Sequence, residues 1–373
     1  MNRPLRKWPT LSITSPSIAW IATIGLALGA MLFAACGDSG TDAPPAGTGA
    51  NGAPAVKNVT LRLGFFPNVT HAQPQVALTR GTFAEELGAN VKLETKTFNA
   101  GPSAIEALFA GAIDATYIGP NPAITGYVQS QGKDLRIIAG ATSAGALLVV
   151  RPESGITKPS DFANKKIATP QLGNTQDVAF RAWLQKNGLK DANHGGNVQV
   201  IPVANADALA LISRGQLDGA WVPEPWATRI VQEAGGKVFL DERDLWPNGD
   251  FVTTHLIVRT KFMDEHPEVV EKLLRAHVKT TQWINDNPDE AKKLVNESIK
   301  KISGAGLADA VINAAWRNQK ITYDPIASSL RKSADDAFAL GYLGEKKPDL
   351  SGIYRLEPLN KVLTELNLKT VQQ

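Results

Sequence analysis

"SAIEALFAGAIDATYI" spans Ser103–Ile118, and "DALALISRGQLDGAWV" repeats its layout at Asp207–Val222, 104 positions later. Each stretch has apolar residues at helical spacing, followed by a glycine, an aspartate and a short apolar run. The glycines, Gly111 and Gly215, stand where helices commonly end in a left-handed residue. The chain is therefore predicted to contain two α/β lobes of the same construction.

The first residue of each stretch, Ser103 or Asp207, is predicted to cap its helix, and Ser103 with Glu106 matches a capping box. The alternative is that the likeness is only that of any two helix–turn–strand units. Under the preferred interpretation, both lobes present the same kind of helix start to a shared cleft.

From Val59 the sequence alternates between strand-like runs and helical patterns, as βα units do. Val59–Phe66, Asn90–Phe98 and Ala115–Gly119 are strand-like runs, each followed by small polar residues and then a helical pattern. This alternation is typical of an α/β fold with a mainly parallel sheet.

Two long strand-like stretches are predicted to cross between the lobes. Leu135–Pro152 is interrupted by small residues, as a crossing strand would be, and Gly249–Phe262 is the predicted return. This assigns 58–146 and 252–373 to the first lobe and 147–251 to the second. Only helices are expected after the return.

The N-terminus is predicted to be an export signal followed by a tether. Basic residues precede the apolar run Ile18–Phe33, and "LFAAC", ending at Cys36, resembles a bacterial lipobox apart from the phenylalanine. Residues 1–35 are thus predicted to be a lipoprotein signal peptide, with Cys36 lipidated after cleavage. The alternative is an uncleaved membrane anchor. Residues 36–57, rich in Gly, Ala and Pro, are predicted to be a flexible tether.

The charge balance excludes one class of partner. The chain contains 39 Lys and Arg residues and 36 Asp and Glu residues, and three of the basic residues but no acidic residue precede Cys36. The remainder is therefore balanced and lacks the basic excess of a nucleic-acid-binding surface. We expect no nucleic acid partner.

Residues in the loops after the strands are the candidate site. Open α/β sheets bind ligands beyond the carboxyl ends of their strands, and helix N-termini favour anions. The candidates are mostly small, amidic or hydroxylic, and none is Lys or Arg. They are Asn68, Thr70, His71, Gly101, Pro102, Ser103, Pro120, Asn121, Ser143, Gly173, Asn174, Thr175, Gln176, Glu224 and Trp226. This set predicts a small anion held by neutral donors.

Several candidates have a second possible role. Asn174 and Thr175 either bind the ligand or only cap a helix. His71 either contacts the ligand or is an incidental loop residue. Glu224 either receives an ammonium group or braces the hinge, and Trp226 either walls the pocket or packs between the lobes.

Signatures of catalysis are absent from the sequence. It contains no G-x-S-x-G motif, no P-loop, and no G-x-G-x-x-G after a strand. Its five histidines form neither H-x-H nor H-E-x-x-H patterns. We therefore expect no catalytic residue, no metal site and no cofactor.

Three stretches carry a family resemblance: "FNAGPSAIEALFAGAIDATYIGPNP" (Phe98–Pro122), "ATPQLGNTQDVAFRAWL" (Ala168–Leu184) and "DGAWVPEPWA" (Asp218–Ala227). With the segment order, they resemble the type 2 periplasmic solute-binding proteins of ABC importers, within the nitrate/sulfonate/taurine group related to thiamine-precursor binders. The resemblance spans Val59–Leu366. It implies two α/β lobes on a two-strand hinge, which close on a ligand and deliver it to a membrane permease with its ATPase. We expect a monomer.

The resemblance implies an aliphatic sulfonate or taurine-like ligand, with nitrate, bicarbonate or a thiamine- or riboflavin-type heterocycle as alternatives. It also implies a lipid-anchored protein on the extracytoplasmic face of the cell envelope, in the periplasm or on the outer surface of the cytoplasmic membrane. The enzyme rival is the thiamine-pyrimidine synthases, which share the scaffold but carry a cysteine-rich iron motif absent here. A sensor lipoprotein is a third class.

Overall fold

Eleven strands form two separate sheets in the computed structural model, which describes residues 58–373. The strands are β1 Val59–Phe65, β2 Val91–Thr97, β3 Ala115–Ile118, β4 Leu135–Ala144, β5 Ala146–Val150, β6 Lys166–Thr169, β7 Gln199–Pro202, β8 Gly219–Pro223, β9 Lys237–Asp241, β10 Val252–Arg259 and β11 Gln319–Ile321. The helices are α1 Ala72–Arg80, α2 Thr82–Leu87, α3 Gly101–Phe109, α4 Pro120–Gln129, α5 Thr175–Lys186, α6 Asn205–Ser213, α7 Trp226–Glu233, α8 Thr260–Glu265, α9 Pro267–Asp286, α10 Pro288–Ser303, α11 Asp309–Arg317, α12 Ala327–Ala339 and α13 Glu357–Glu365.

The two sheets share one topology over five strands, and the first sheet has β11 as a sixth strand at its edge. The first has the order β11-β4-β10-β3-β1-β2 and the second β7-β6-β8-β5-β9. β1 is parallel to β2 and β3, as β6 is to β7 and β8. In each sheet one antiparallel strand, β10 or β5, lies beside this parallel set. We call each sheet with its helices a lobe, and the predicted repeat is confirmed.

Equivalent aspartates join equivalent strands in the two lobes. The Asp114 carboxylate accepts a hydrogen bond from the Arg62 backbone N–H at 3.0 Å, and its own N–H donates to the Arg62 carbonyl at 2.8 Å. Asp218 makes the same two bonds with Lys166, both at 2.8 Å. The turn aspartates of the repeated stretches therefore have the same structural role.

The predicted helix ends are confirmed, but the predicted helix starts are wrong. Gly111 and Gly215 follow α3 and α6 with φ of 68° and 70°. Both helices begin two residues before Ser103 and Asp207, so neither residue is an N-cap. The Ser103 hydroxyl instead donates to the Ala100 carbonyl at 2.9 Å. In α3 a proline at the second helical position favours the earlier start.

The chain crosses between the sheets where β4 passes into β5. Only Gly145 separates the two strands, and it has a φ of 83° that favours glycine. The chain returns between β9 and β10. The predicted lobe boundaries stay a prediction. The expectation of helices alone after the return is wrong, because β11 pairs with the edge of β4.

The second lobe has an aromatic core against α5, in which Phe162, Phe180, Trp183 and Trp221 pack together.

Within residues 58–373, no helix is both long and apolar enough to cross a bilayer. The predicted signal peptide, the lipidation site Cys36 and the tether lie outside the described residues.

Candidate functional site

Loops at the carboxyl ends of six strands meet between the two lobes. They follow β1, β2 and β3 in the first lobe and β6, β7 and β8 in the second. The cavity between them, here called the cleft cavity, has a volume of about 20 Å³, which is room for about one water molecule. It is lined by Phe66, Asn68, Thr70, His71, Asn99, Gly119, Pro170, Asn174, Thr175, Gln176, Asn205, Pro223, Thr253 and Thr254.

The polar groups around the cleft cavity are all uncharged types: amides, hydroxyls and one imidazole. Two helices begin at its wall, α5 at Thr175 and α6 at Asn205. Helix N-termini present unpaired N–H groups and a partial positive charge. This arrangement can hold a compact anion without a cationic side chain.

The first-lobe loop is held by neutral hydrogen bonds. The Thr70 carbonyl accepts from the hydroxyls of Thr142 at 2.7 Å and Thr254 at 3.0 Å. The Gln75 side-chain amide donates to the carbonyls of Asn68 at 2.7 Å and His71 at 2.9 Å. The loop is thus fixed from two sides without an ion pair among these contacts.

His71 is a neutral donor in this loop. Its ring stacks on Phe66 with centroids 4.4 Å apart, and its Nδ1 accepts the Phe66 backbone N–H at 3.3 Å. Burial lowers the pKa of His71 to about 3. The imidazole is therefore neutral at physiological pH, and because Nδ1 is an acceptor, Nε2 carries the proton.

The second-lobe loop is held by a buried ionic network. The Asp177 carboxylate accepts from the Gly173 N–H at 3.0 Å and the Thr169 hydroxyl at 2.8 Å. Arg181 Nε lies 3.1 Å from both Asp177 oxygens, and its Nη1 is 2.8 Å from Asp191. Burial opposes the charge of Arg181, but its hydrogen bond to Asp177 and the charge of that carboxylate raise its pKa overall.

The lobes contact each other directly around the cleft cavity. The Gly101 N–H donates to the Asn174 side-chain oxygen at 3.3 Å, and the Trp226 indole N–H donates to the Asn68 side-chain oxygen at 2.9 Å. A Cβ on Gly119 would lie 2.3 Å from the Thr175 hydroxyl, so this approach requires glycine.

Residues 54–299 match the sequence profile of the NMT1-like family. This chain belongs to the NMT1-like family. The taurine-binding periplasmic protein of Escherichia coli (strain K12) is 30% identical to it over 63% of this chain and 70% of that protein. The putative aliphatic sulfonates-binding protein of Bacillus subtilis (strain 168) is 27% identical over 86% of this chain and 93% of that protein.

The solved structures also match this NMT1-like chain. The alkanesulfonate-binding protein SsuA from Xanthomonas axonopodis pv. citri bound to MOPS superposes with a TM-score of 0.67 at 18% identity, covering 80% of this chain and 99% of that one. The predicted periplasmic binding protein fold is therefore confirmed, and so is the resemblance to the sulfonate and taurine group.

In this NMT1-like chain, six of the predicted site residues line the cleft cavity: Asn68, Thr70, His71, Asn174, Thr175 and Gln176. Gly101 and Trp226 bridge the lobes beside it. Asn174 is the N-cap residue of α5, yet its side chain makes no capping hydrogen bond. That side chain reaches across the cleft instead, so capping alone does not account for it.

Four other candidates are near the cleft without lining it. Pro102 and Ser103 belong to the first turn of α3, and Pro120 begins α4. Gly173 has a φ of 74° and its N–H is taken by Asp177. These residues shape the loops around the cavity.

The remaining candidates are directed elsewhere. The buried Glu224 carboxylate accepts from the Thr228 hydroxyl at 2.8 Å and the Asn318 amide at 2.6 Å, contacts that match the bracing role. Burial raises the pKa of Glu224. Asn121 lines a neighbouring cavity, and Ser143 in β4 lines a separate surface depression.

Sequence reasoning missed several lining residues. Asn99 lies in the loop after β2, and Asn205 begins α6 shortly after β7; both are amides that follow a strand, the same signal that identified Asn68. Thr253 and Thr254 gave no such signal, because they lie within β10. Phe66 and Pro170 were also missed.

Among residues 58–373, no group of three or more His, Cys, Asp or Glu side chains is placed to hold a metal ion.

Proposed function

We propose that this chain is the extracytoplasmic solute-binding component of an ABC importer, and that it captures a small organic anion of the aliphatic sulfonate class between its lobes. The observation that carries the proposal is the cleft cavity, in which uncharged donors from both lobes and the starts of α5 and α6 converge. The names of the taurine-binding and sulfonate-binding relatives support the same ligand class.

The chemistry of the cavity favours an anion that is released again. A sulfonate bound by amides, hydroxyls and helix N–H groups is well hydrogen-bonded, yet no lysine or arginine lines the cavity to neutralise it. Neutral donors therefore recognise the shape of the oxyanion without the strong attraction of an ion pair, which suits a protein that must hand its ligand to a permease.

Ligand entry requires the lobes to separate. The cleft cavity, at about 20 Å³, has room for about one water molecule, which is less than a sulfonate needs. A rotation at Gly145 and at the segment between β9 and β10 would open it, since the chain crosses there. The lobes of this hinge are 58–146 with 252–373, and 147–251.

We place the protein outside the cytoplasm as a monomer, attached through a lipid on Cys36 and a tether, beside its permease and ATPase. The leader pattern supports this assignment. A Cys36→Ala variant that still incorporates labelled fatty acid would contradict the anchor. The role proposed is binding without turnover.

Calorimetry on the purified protein tests the ligand class, with methanesulfonate, taurine, nitrate, bicarbonate and thiamine as titrants. One bound sulfonate per chain supports the proposal. Failure of every anion together with tight binding of the heterocycle would refute the sulfonate class and keep the transport role, whereas conversion of any titrant to product would support an enzyme.

A double variant, Asn174→Ala with Thr175→Ala, tests the site itself. Loss of hydrogen bonds to a charged ligand should weaken binding by about 1–3 kcal/mol. An unchanged affinity with a lowered melting temperature would show that these side chains only support the helix.

A further inference from the structure

A cavity in the first lobe lies between helix α12 and the chain that follows it at residues 347–354. Its volume is about 290 Å³, which is close to the lower end, about 300 Å³, of the range for small-molecule sites. None of the residues that line it also lines the cleft cavity. We call it the α12 cavity, and the function proposed above does not use it.

Helix α12 presents opposite faces to the α12 cavity and to the second lobe. Leu330 and Ala334 line the α12 cavity. Lys332 and Asp336 each follow one of them by two residues, which is about 200° around a helix of 3.6 residues per turn. On that opposite face, Asp336 lies 3.0 Å from Lys186 of the second lobe. The α12 cavity is therefore separate from the contact between the lobes and does not depend on their closure.

Buried apolar side chains form one wall of the α12 cavity. Leu330, Ala334 and Ile353 are buried in the core of the first lobe, and Leu350 packs against that core. The core holds this wall in place. Contact with such a surface stabilises the apolar part of a ligand.

One buried polar group of the cavity wall has no partner. Tyr354 is 7% exposed, and its hydroxyl makes no hydrogen bond within residues 58–373. Burial raises the pKa of Tyr354, so the hydroxyl keeps its proton and can donate. Ser351 and Gln373 add only neutral side chains to the wall. Since a buried hydroxyl is stabilised by gaining a partner, an acceptor oxygen of a ligand fits here.

The charges around the α12 cavity leave one cation available. Asp335 and Lys347 form an ion pair at 2.5 Å, so their charges offset each other. Arg331 is exposed on the wall and has no ion-pair partner among residues 58–373. After burial, the charges of Arg331 and Asp324 act on the pKa of Tyr354 in opposite directions, so both lie near the phenol, but Asp324 does not line the cavity. A carboxylate matches these donors, because a guanidinium binds a planar oxyanion well.

We propose that the α12 cavity is a second small-molecule site, which binds a carboxylate carried on a short apolar body, as in a medium-chain fatty acid. The carboxylate accepts from the Arg331 guanidinium and the Tyr354 hydroxyl, and the apolar body packs against Leu330, Ala334 and Ile353. This inference is independent of the proposed function, because the two cavities share no residue.

Calorimetry on the purified wild-type protein, with methanesulfonate present to occupy the cleft, tests the ligand class. Hexanoate should bind at one molecule per chain. Acetate lacks four methylenes and should bind at least about tenfold more weakly. Hexanamide lacks the charge that pairs with Arg331 and should also bind at least about tenfold more weakly. Absence of hexanoate binding, or equal affinities for hexanoate and hexanamide, would overturn the site.

Variants locate the bound fatty acid. Arg331→Gln and Tyr354→Phe should each lower the affinity for hexanoate about tenfold and leave that for methanesulfonate unchanged. Arg214→Gln, which changes an exposed arginine of the second lobe, is the matched control and should change neither affinity. Tyr354→Phe removes only a hydroxyl without a partner, so it should fold as the wild type does.

The remaining outcomes separate this site from the cleft. Hexanoate binding that survives in Arg331→Gln and is lost in the Asn174→Ala, Thr175→Ala double variant would place the fatty acid in the cleft and overturn the α12 site. Equal losses in Arg331→Gln and Arg214→Gln would also overturn it, since surface charge in general would then be the cause. If hexanoate binds as expected but no sulfonate does, the proposed function fails and the α12 site stands.

Discussion

The two loops that face each other across the cleft cavity come from lobes of one topology, yet they are held by different chemistry. The first-lobe loop, Asn68–His71, is fixed by amides and hydroxyls. The second-lobe loop, Leu172–Gln176, is fixed by Asp177, which is paired with Arg181 in the interior. A repeat in fold is therefore not a repeat in the interactions that position the site.

The ionic support also reaches the other lobe. The Tyr342 hydroxyl, from the segment after α12, donates to Asp177 at 3.0 Å. One buried carboxylate thus contacts the cleft loop through Gly173, its own helix through Arg181, and the first lobe through Tyr342. The geometry of the second-lobe loop and the contact between lobes depend on the same charge.

The largest effect is expected from breaking this network. Arg181→Met leaves the buried Asp177 without its arginine and leaves Asp191 with the His194 ring alone, which should lower the free energy of unfolding by about 3–5 kcal/mol. Urea unfolding measures it. Lys261→Met, which removes an exposed pair to Glu265 at the same i,i+4 spacing, should change it by less than about 1 kcal/mol. A similar loss in both variants would show that burial does not distinguish them.

The next effect depends on pH and belongs to the second lobe. The pKa of Glu242 is raised to about 7, so the folded state keeps a proton that the unfolded state releases above pH 4.5. Its contribution therefore destabilises the fold progressively as pH rises from about 4.5 to 7. Glu242→Gln should remove this penalty. The free energy of unfolding of the variant should exceed that of the wild type by about 3 kcal/mol at pH 8, with little difference at pH 4.5.

Denaturant unfolding from pH 4.5 to 8.5 measures that difference. The first lobe has the opposite pH dependence: burial lowers the pKa values of His255 and His277 to about 4, so their contribution is lost as pH falls below about 6.5. This loss is common to wild type and variant and cancels in the comparison. A difference between the two proteins that does not vary with pH would contradict the titration of Glu242.

A smaller effect is expected from the neutral support of the first lobe. Gln75→Leu removes the amide that donates to the carbonyls of Asn68 and His71, which should lower the free energy of unfolding by about 1–3 kcal/mol. Gln232→Leu removes one longer exposed hydrogen bond to Ala310 and is the control. If Gln75→Leu destabilises the protein more than Arg181→Met does, the contrast between the two loops is wrong.

The sequence predicts the repeated construction because helix length, the glycine after the helix and the following strand are all local features. Gly111 and Gly215 illustrate this, since each has the left-handed φ that its position implies. The caps at Ser103 and Asp207 were wrong because the actual starts depend on how the preceding loops enter the helices.

The site is only partly predictable for a different reason. Asn68 and Asn174 are amides in loops, a signal visible in sequence, whereas Thr253 and Thr254 lie in a strand that reaches the cleft only through the tertiary crossing. The support from Asp177 follows an i,i+4 pattern with Arg181 that is common on exposed helix faces. Its importance comes from burial, which the pattern alone does not reveal.

The smallest effect concerns the surface contact between the lobes. Lys186 of the second lobe lies 3.0 Å from Asp336 of the first, and its side chain is 55% exposed. Lys186→Ala should therefore destabilise the closed arrangement by less than about 1 kcal/mol. The dissociation rate of a bound sulfonate at low salt should rise by up to about fivefold as a result. Stopped-flow displacement measures this rate. The difference in rate between variant and wild type should be present at about 20 mM salt and become smaller at about 500 mM salt, because salt screens the exposed ion pair. Lys347→Ala removes an exposed pair to Asp335 inside the first lobe and should leave the rate unchanged. Equal rate changes in the two variants would mean that surface charge in general, and not this bridge, sets ligand release.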